Sequence, residues 1–227
     1  KNHRDRIAFV RICSGKFERG MDAFHVQGNR KLKLATGTSM MADDRAIVDE
    51  AYAGDIVGPF DPGIFSIGDT VCSGKRHVQY PQIPTFAPEM FARITQVDTL
   101  KRKQFVKGME ELAQEGAMQI FRELGAGMES VIVGVVGVLQ FEVLERRLKA
   151  EYRVEVRRQP LPYTDIRWIQ NDPDTIDIPG LSLTRDTLRV EDMRGGKLLL
   201  FTSPWNVDWA TDHNPDLILS EFGNVAF

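Results

Sequence analysis

Three glycine–lysine pairs are the residues of this 227-residue chain that come closest to a phosphate-binding loop: Gly15-Lys16, Gly74-Lys75 and Gly196-Lys197. Such a loop needs an earlier glycine and a following hydroxyl, because its backbone N–H groups and lysine neutralise nucleotide phosphates. The earlier glycine is replaced by Val10, Asp69 and Glu191, and the hydroxyl by Phe17, Arg76 and Leu198. A guanine-reading Asn-Lys-x-Asp motif is also absent. The sequence therefore predicts no nucleotide hydrolysis by these residues.

The other reactive side chains are too scattered to predict a catalytic or metal site. The histidines do not occur at the sequence spacings that metal-binding His and Cys residues show. We expect surface or packing roles for all of them: His3, His25, His77 and His213. Cys13 and Cys72 have no CxxC spacing, which favours buried free thiols in a reducing compartment over a disulfide or metal site. Trp205 and Trp209, at i and i+4, are expected to pack into the core, with base stacking as the alternative.

Charge is distributed unevenly, although the net charge is only −3. Residues 1–34 carry nine Lys and Arg against three Asp and Glu, whereas residues 160–227 carry five against eleven. A basic face attracts phosphate whatever the overall charge, and a solvated surface with chance clustering is the alternative. The candidate phosphate contacts are Arg11, Lys16, Arg19, Arg30, Lys31 and Lys33.

Hydrophobic patterning divides the chain into two parts. Up to about residue 80, short apolar or alternating stretches are separated by glycine turns such as Arg19-Gly20 and Gly28-Asn29. This pattern predicts a small closed β-barrel over residues 1–84. Pro81, Pro84 and Pro88 then favour a stiff, extended connection. Residues 85–227 are predicted to form a second domain.

Residues 85–227 combine helical and strand periodicity. Apolar residues at helical spacing predict helices over 101–114 and 138–152, and we expect Glu142–Arg146 and Glu145–Lys149 pairs to support the second helix. Strands are predicted over 86–96, 118–121, 130–136 and 153–158. The resulting order, β-α-β-β-α-β, is the ferredoxin-like arrangement. A C-terminal extension follows, with strands predicted over 165–170 and 197–202 and a short helix capped by Ser203.

Three stretches resemble the second and third domains of the peptide chain release factor 3 family of translational GTPases. SGKFERGM at 14–21, with AYAGDIVG at 51–58 and IGDT at 67–70, resembles the barrel that translational GTPases share. FAPEM at 86–90 resembles the first strand of the following domain, and residues 133–151 resemble its second αβ unit. Elongation factor G usually has an acidic residue, leucine and histidine where this chain has Gln140-Phe141, which favours the termination factor.

The resemblance implies a fragment: a translation-factor β-barrel followed by a ferredoxin-like α+β domain with a C-terminal extension. The parent protein would bind and hydrolyse GTP with Mg²⁺ in an upstream domain, act on the ribosome in the cytoplasm, and promote the removal of class I release factors. This part would hold no cofactor and catalyse nothing. The six basic residues would contact small-subunit rRNA and protein, with no membrane or DNA partner.

Two alternatives remain open at this point. The first keeps the superfamily and makes the chain part of an elongation factor G-like or ribosomal-protection GTPase. The second is a small-ligand enzyme with a site between the two domains. It would need clustered catalytic residues, and the sequence offers none that can be named.

Overall fold

The computed structural model of the chain describes residues 6–34, 37–41, 44–61, 63–74, 77–81, 83, 87–116, 118–172 and 174–223. The chain divides into two compact units, Lys1–Ile83 and Pro84–Phe227. Pro84, the last residue of the predicted barrel, lies outside the described residues. The two units are described separately below.

The described part of the first unit is all-β, built from short antiparallel strands between glycine turns. They are β1 (Arg6–Ile7), β2 (Val10–Arg11), β3 (Lys16–Glu18), β4 (Asp22–His25), β5 (Arg30–Lys33), β6 (Gly37–Met41), β7 (Asp44–Ile47), β8 (Glu50–Tyr52), β9 (Ile56–Asp61) and β10 (Val71–Cys72). The sheet orders are β1-β9-β6-β7 with β2 also on β9, β10-β4-β5, and β3-β8.

These small sheets enclose one apolar core, as the predicted barrel requires. Its buried members are Phe17, Ala23, Leu34, Ala51 and Val57. Each comes from a different segment of the chain, so the core closes only when distant strands meet. Phe17 is 4% exposed, which places this residue of the SGKFERGM motif in the interior.

The second unit begins with the predicted ferredoxin-like fold. Its elements are β11 (Met90–Gln96), α1 (Arg102–Gln114), β12 (Gln119–Glu123), β13 (Ser130–Val135), α2 (Val138–Tyr152) and β14 (Val156–Leu161), with a 3-10 turn at Thr99–Lys101. In the sheet order β14-β11-β13-β12, the first and third strands of the motif form the central pair. The chirality of βαβ crossovers puts both helices on one face of such a sheet.

The C-terminal extension continues this sheet instead of forming a separate body. It consists of β15 (Asp165–Ile169), β16 (Leu188–Asp192), β17 (Lys197–Phe201), α3 (Pro204–His213) and β18 (Leu219–Ser220). Strand β16 pairs with the free edge of β12, and the order proceeds β16-β17-β15-β18. Edge pairing satisfies backbone groups that β12 would otherwise expose.

The core of the second unit lies on both faces of this sheet. The α1 and α2 side of the sheet buries Phe105, Met109 and Leu112 from α1 and Phe141, Leu144 and Leu148 from α2. The predicted helix faces are therefore confirmed. On the other face, Phe91, Phe121 and Trp168 belong to a second cluster shared by the ferredoxin-like strands and the extension.

Several local predictions need correction. The last ferredoxin-like strand begins at Val156 instead of residue 153, because Arg153 adopts φ 58° and ends α2. Glu145 pairs with Arg158 at 3.1 Å and Lys149 with Glu155 at 2.8 Å, in place of the expected Glu145–Lys149 pair. These side chains of α2 thus contact the segment that follows the helix instead of each other.

The cysteines and the helices add two observations. Cys13 and Cys72 are both free, but Cys13 is exposed, so the expected burial is wrong for that thiol. Among the described helices, none combines the length and apolar composition that crossing a bilayer requires.

Candidate nucleic-acid interface

Lys16 is already surrounded by carboxylates. Its Nζ lies 2.9 Å from Oε1 of Glu18 on the same strand and 2.7 Å from Oε1 of Glu50 on the paired strand β8. The hydrogen bonds to Glu50 and Glu18 raise the pKa of Lys16, and the same ammonium lowers the pKa of Glu50. Two carboxylates against one ammonium make this place net negative, so an incoming phosphate gains little there.

Arg19 and Lys33 are each matched by one acid. Arg19 Nε lies 3.1 Å from Asp49 Oδ1, and Lys33 Nζ lies 3.9 Å from Asp22 Oδ1. The two sites are neighbours, because the turn after β3 joins the end of β5 through backbone hydrogen bonds. Exposed ion pairs of this kind are weak. Each pair has a net charge close to zero, so neither pair attracts phosphate strongly.

The tip of the β4–β5 hairpin is different, because its cations are uncompensated. Arg30 pairs in register with His25 and Lys31 with Phe24, and both basic side chains are exposed. No described carboxylate forms an ion pair with Arg30 or Lys31. Arg11 is also exposed and has no ion pair with a described acid, but it lies on another sheet, opposite Ile56 on β9.

Buried polar contacts hold this hairpin in place. His25 is 3% exposed, and its Nε2 lies 2.8 Å from Asp69 Oδ2. The Thr70 N–H donates to Gln27 Oε1 at 2.8 Å, so the loop before β10 is bonded to the turn. A Cβ on Gly28 would lie 2.4 Å from His25 Nδ1, which leaves no room for a side chain in the turn. The hairpin therefore presents Arg30 and Lys31 on a fixed support.

Sequence reasoning missed an aromatic pair beside Lys31. The rings of Phe24 and His77 stack with centroids 3.8 Å apart and an interplanar angle of 7°. Phe24 lies opposite Lys31, and the exposed His77 ring covers it from the segment after β10. Ala23 and His25 are buried, which leaves Phe24 on the other face of β4, and no signal in the local sequence marks this orientation. Flat rings next to a cation suit nucleotide contacts.

The six predicted residues thus separate into two groups. Lys16, Arg19 and Lys33 face carboxylates, whereas Arg30, Lys31 and Arg11 have no ion pair with a described acid. Only Arg30 and Lys31 of the second group share one strand. The ion pairing depends on which strands meet, so residue counts along the chain could not reveal it.

The remaining candidate residues that the structure describes show no reactive arrangement, and His3 lies outside the described residues. Within the described residues, no group of three or more His, Cys, Asp and Glu side chains could hold a metal ion. Trp205 is 64% exposed, so its predicted burial is wrong. A groove of about 380 Å³ in the second unit is lined by Val97, Asp98, Lys101, Lys149, Arg153 and Glu155. Of these lining residues, Lys149 pairs with Glu155, Asp98 accepts from the Leu100 N–H, and Lys101 donates to the Arg153 carbonyl.

Two family models together match most of the chain. Residues 80–211 match the model described as "Class II release factor RF3, C-terminal domain". Residues 1–74 match "Elongation factor G domain 2".

Curated relatives agree with these matches, and one solved structure shares the fold. Proteins named peptide chain release factor 3 are 48% identical over 216 residues in Symbiobacterium thermophilum and 44% over 219 residues in Ligilactobacillus salivarius. The matches cover 95% and 96% of this chain but only 40% and 41% of those relatives. A crystal structure of a Thermus thermophilus protein shares the fold with a TM-score of 0.56 at 16% identity, covering 74% of this chain and 27% of that one.

Proposed function

The chain belongs to the class II release factor RF3 family, and from that premise we propose that it is the ribosome-docking part of a translational GTPase of termination. The whole protein binds GTP and Mg²⁺ in a domain outside this sequence, works in the cytoplasm, and promotes the release of class I release factors. This part supplies binding surface and no catalysis. The match of both units to translation-factor models supports the proposal.

Small-subunit rRNA is the proposed partner of the first unit. The observation that carries this assignment is the β4–β5 hairpin, where Arg30 and Lys31 are exposed and have no ion pair with a described acid, and where Lys31 lies opposite Phe24 of the Phe24–His77 ring pair. Cationic side chains position a protein on phosphates without reading sequence. The other four predicted residues remain proposed contacts that contribute less: Arg11, Lys16, Arg19 and Lys33. All of them except Arg11 must first break an ion pair with an acid.

Salt dependence of ribosome binding tests the hairpin. The double substitution Arg30→Ala and Lys31→Ala should weaken binding to purified small ribosomal subunits. It should also make the negative slope of log affinity against log salt shallower by about 1–2. Replacing Lys16 with alanine should change the slope little, because its charge is already compensated. The measurement is an equilibrium binding titration across a series of salt concentrations.

A matched control separates this effect from general loss of positive charge. The Lys103→Ala and Arg194→Ala pair removes two exposed cations from the second unit. This pair should leave the slope close to the parent value. An equal loss of slope in the two double variants would refute the hairpin assignment.

We also expect this chain to bind no GTP, because none of its Gly-Lys pairs completes a phosphate loop. Isothermal titration of GTP with Mg²⁺ into the chain should show no saturable heat. Micromolar affinity would contradict the proposed division of labour between this part and the rest of the protein.

The family match bears on the alternatives. An elongation factor G-like or ribosomal-protection GTPase accounts for the barrel equally well, since that match is to elongation factor G domain 2. The second unit favours a release factor over these two alternatives, because residues 80–211 match a release factor model. Nothing in the described residues favours a small-ligand enzyme.

A further inference from the structure

Helix α3 is fixed to the extension by one face. Asn206 and Ala210 are 4% and 0% exposed, and Val207 packs against the neighbouring cluster. The Asn206 amide Nδ2 donates to Thr184 Oγ1 at 2.8 Å and to Asp186 Oδ1 at 3.0 Å. A buried side chain with this many partners sets the rotation of the helix about its axis.

Beside the buried face, α3 carries a line of aromatic residues in which Trp205 and His213 are exposed and Trp209 is half-buried. Trp205, Trp209 and His213 are spaced i, i+4 and i+8, so they follow one line along the helix. Trp205 is 64% exposed. The rings of Trp209 and His213 stack at 3.8 Å with an interplanar angle of 12°, which holds the end of the stripe flat. We call these three residues the aromatic stripe.

Uncompensated acids lie beside the aromatic stripe. Asp208 and Asp212 follow Trp205 by three and seven positions, which places them on the same side of the helix. Both are exposed, and no described cationic side chain forms an ion pair with either. Helix α3 contains no lysine or arginine, and residues 160–227 carry five basic against eleven acidic residues.

This combination selects the chemistry of a partner. Covering an exposed tryptophan with a flat or apolar group buries a large aromatic area, which favours binding. Tryptophan is also enriched among the interface residues that contribute most of the binding free energy. Nucleic acid would stack on the ring but would bring phosphate against Asp208 and Asp212. A guanidinium satisfies both features, since it stacks on the indole face and pairs with a carboxylate.

We propose that the aromatic stripe, together with Asp208 and Asp212, binds an arginine-rich segment of a partner protein. This site is distinct from the phosphate contacts proposed for the β4–β5 hairpin. It lies on the other unit and has the opposite charge, so each proposal can fail without the other.

Peptide binding to the whole chain tests the proposal. The probes are two peptides of about 16 residues, one alternating arginine with glycine and the other alternating lysine with glycine. Fluorescence anisotropy of labelled peptides should give tighter binding of the arginine peptide. Trp205→Ala should weaken arginine-peptide binding about tenfold and remove most of the preference for arginine over lysine. Asp208→Asn with Asp212→Asn should weaken both peptides and reduce the salt dependence.

Matched controls come from exposed positions of the other helices. Leu139→Ala on α2 removes an apolar side chain that is 68% exposed, close to the 64% of Trp205. Glu110→Gln with Glu142→Gln removes two exposed acids from α1 and α2. Neither control should change peptide affinity by more than about twofold. Circular dichroism on every variant verifies that the fold persists.

Three results would overturn the proposal. One is an equal loss of peptide affinity in the control variants. Another is binding of a single-stranded oligouridine that depends on Trp205 while peptide binding does not, which would make the stripe a base-stacking surface. The third is self-association in sedimentation experiments that Trp205→Ala abolishes, since the stripe would then bind a second copy of the chain.

Discussion

Gln140 shows how one residue of the family-like motif acts physically. It is the third residue of α2, and its Oε1 accepts hydrogen bonds from the backbone N–H groups of Val136 at 2.8 Å and Gly137 at 3.1 Å. Gly137 at the N-cap has no side chain to satisfy the helix start. Gln140 therefore makes the reciprocal half of a capping box, in which the N3 side chain accepts from the N-cap N–H and here also from the N–H of the residue before it.

We expect Gln140→Ala to destabilise the second unit by about 1 kcal/mol, because two backbone donors lose their acceptor. Gln140→Glu should keep most of the stability, since a carboxylate accepts the same bonds and a negative charge is favoured at a helix N-terminus. Urea unfolding followed by tryptophan fluorescence measures both. Glu142→Ala, two positions along the same helix, is the control, and an equal loss there would show that capping is not the cause.

Cross-strand ion pairs join the ferredoxin-like strands to the C-terminal extension. Glu191 on β16 pairs with Arg122 on β12 and with Lys197 on β17. The register places Arg122 opposite Glu191 and Glu191 opposite Lys197. The Glu191 side chain is only 15% exposed, so solvent screens these contacts less than surface pairs. This triad connects the ferredoxin-like fold to its extension.

Stability should depend on pH through Glu191. Its hydrogen bond with Lys197, followed by the charge of Arg122, lowers the pKa of Glu191 below its ordinary value of 4.5. The ion pairs of Glu191 therefore stabilise the folded state fully above pH 4.5. This stabilisation is lost as the pH falls through the lower pKa that Glu191 has in the folded state. We expect Glu191→Gln to cost about 1–2 kcal/mol at neutral pH and progressively less in acid.

Urea unfolding of Glu191→Gln and the parent chain from neutral to acidic pH checks this. Glu155→Gln is the control, because its pair with Lys149 is exposed and should matter less. A difference between Glu191→Gln and the parent that stays constant down to pH values below the acid's titration would contradict the assigned ion pair.

The whole molecule consists of two units with separate cores. The described core of the first unit involves residues between Val10 and Val71, and the clusters of the second unit involve residues from Phe91 onward. We propose that the units are independent domains, in line with the boundary predicted from the proline-rich stretch. All three tryptophans belong to the second unit, so their fluorescence reports on that unit alone.

A fragment spanning residues 84–227 should therefore unfold cooperatively by itself. Its tryptophan-detected midpoint should lie within a few degrees of the midpoint of the full chain, because no core cluster is cut. Thermal unfolding of both proteins measures this. Loss of a cooperative transition in the fragment would show that the second unit depends on the first.

The sequence by itself determined the ferredoxin-like order and the buried faces of α1 and α2. Helical spacing of Phe105, Met109 and Leu112, and the glycine at position 116, are local signals that survive without knowledge of neighbours. The short barrel strands were harder to predict. Local patterns predict barrel strands over 7–13, 31–34, 55–60 and 66–71. They do not predict β3, β4, β6, β7 or β8, because a strand of three to five residues is defined by its pairing partner more than by its own pattern.

Only the tertiary structure decided the charge balance and exposure of the candidate sites. Lys16 has a local partner in Glu18, but its site becomes net negative only because β3 meets β8, which brings Glu50 across from a distant part of the chain. Trp205 is exposed because Asn206 and Ala210 occupy the buried face of α3, and helical spacing alone cannot say which face is covered. Contacts between segments far apart in the chain fix both outcomes, and no local pattern of the linear sequence encodes them.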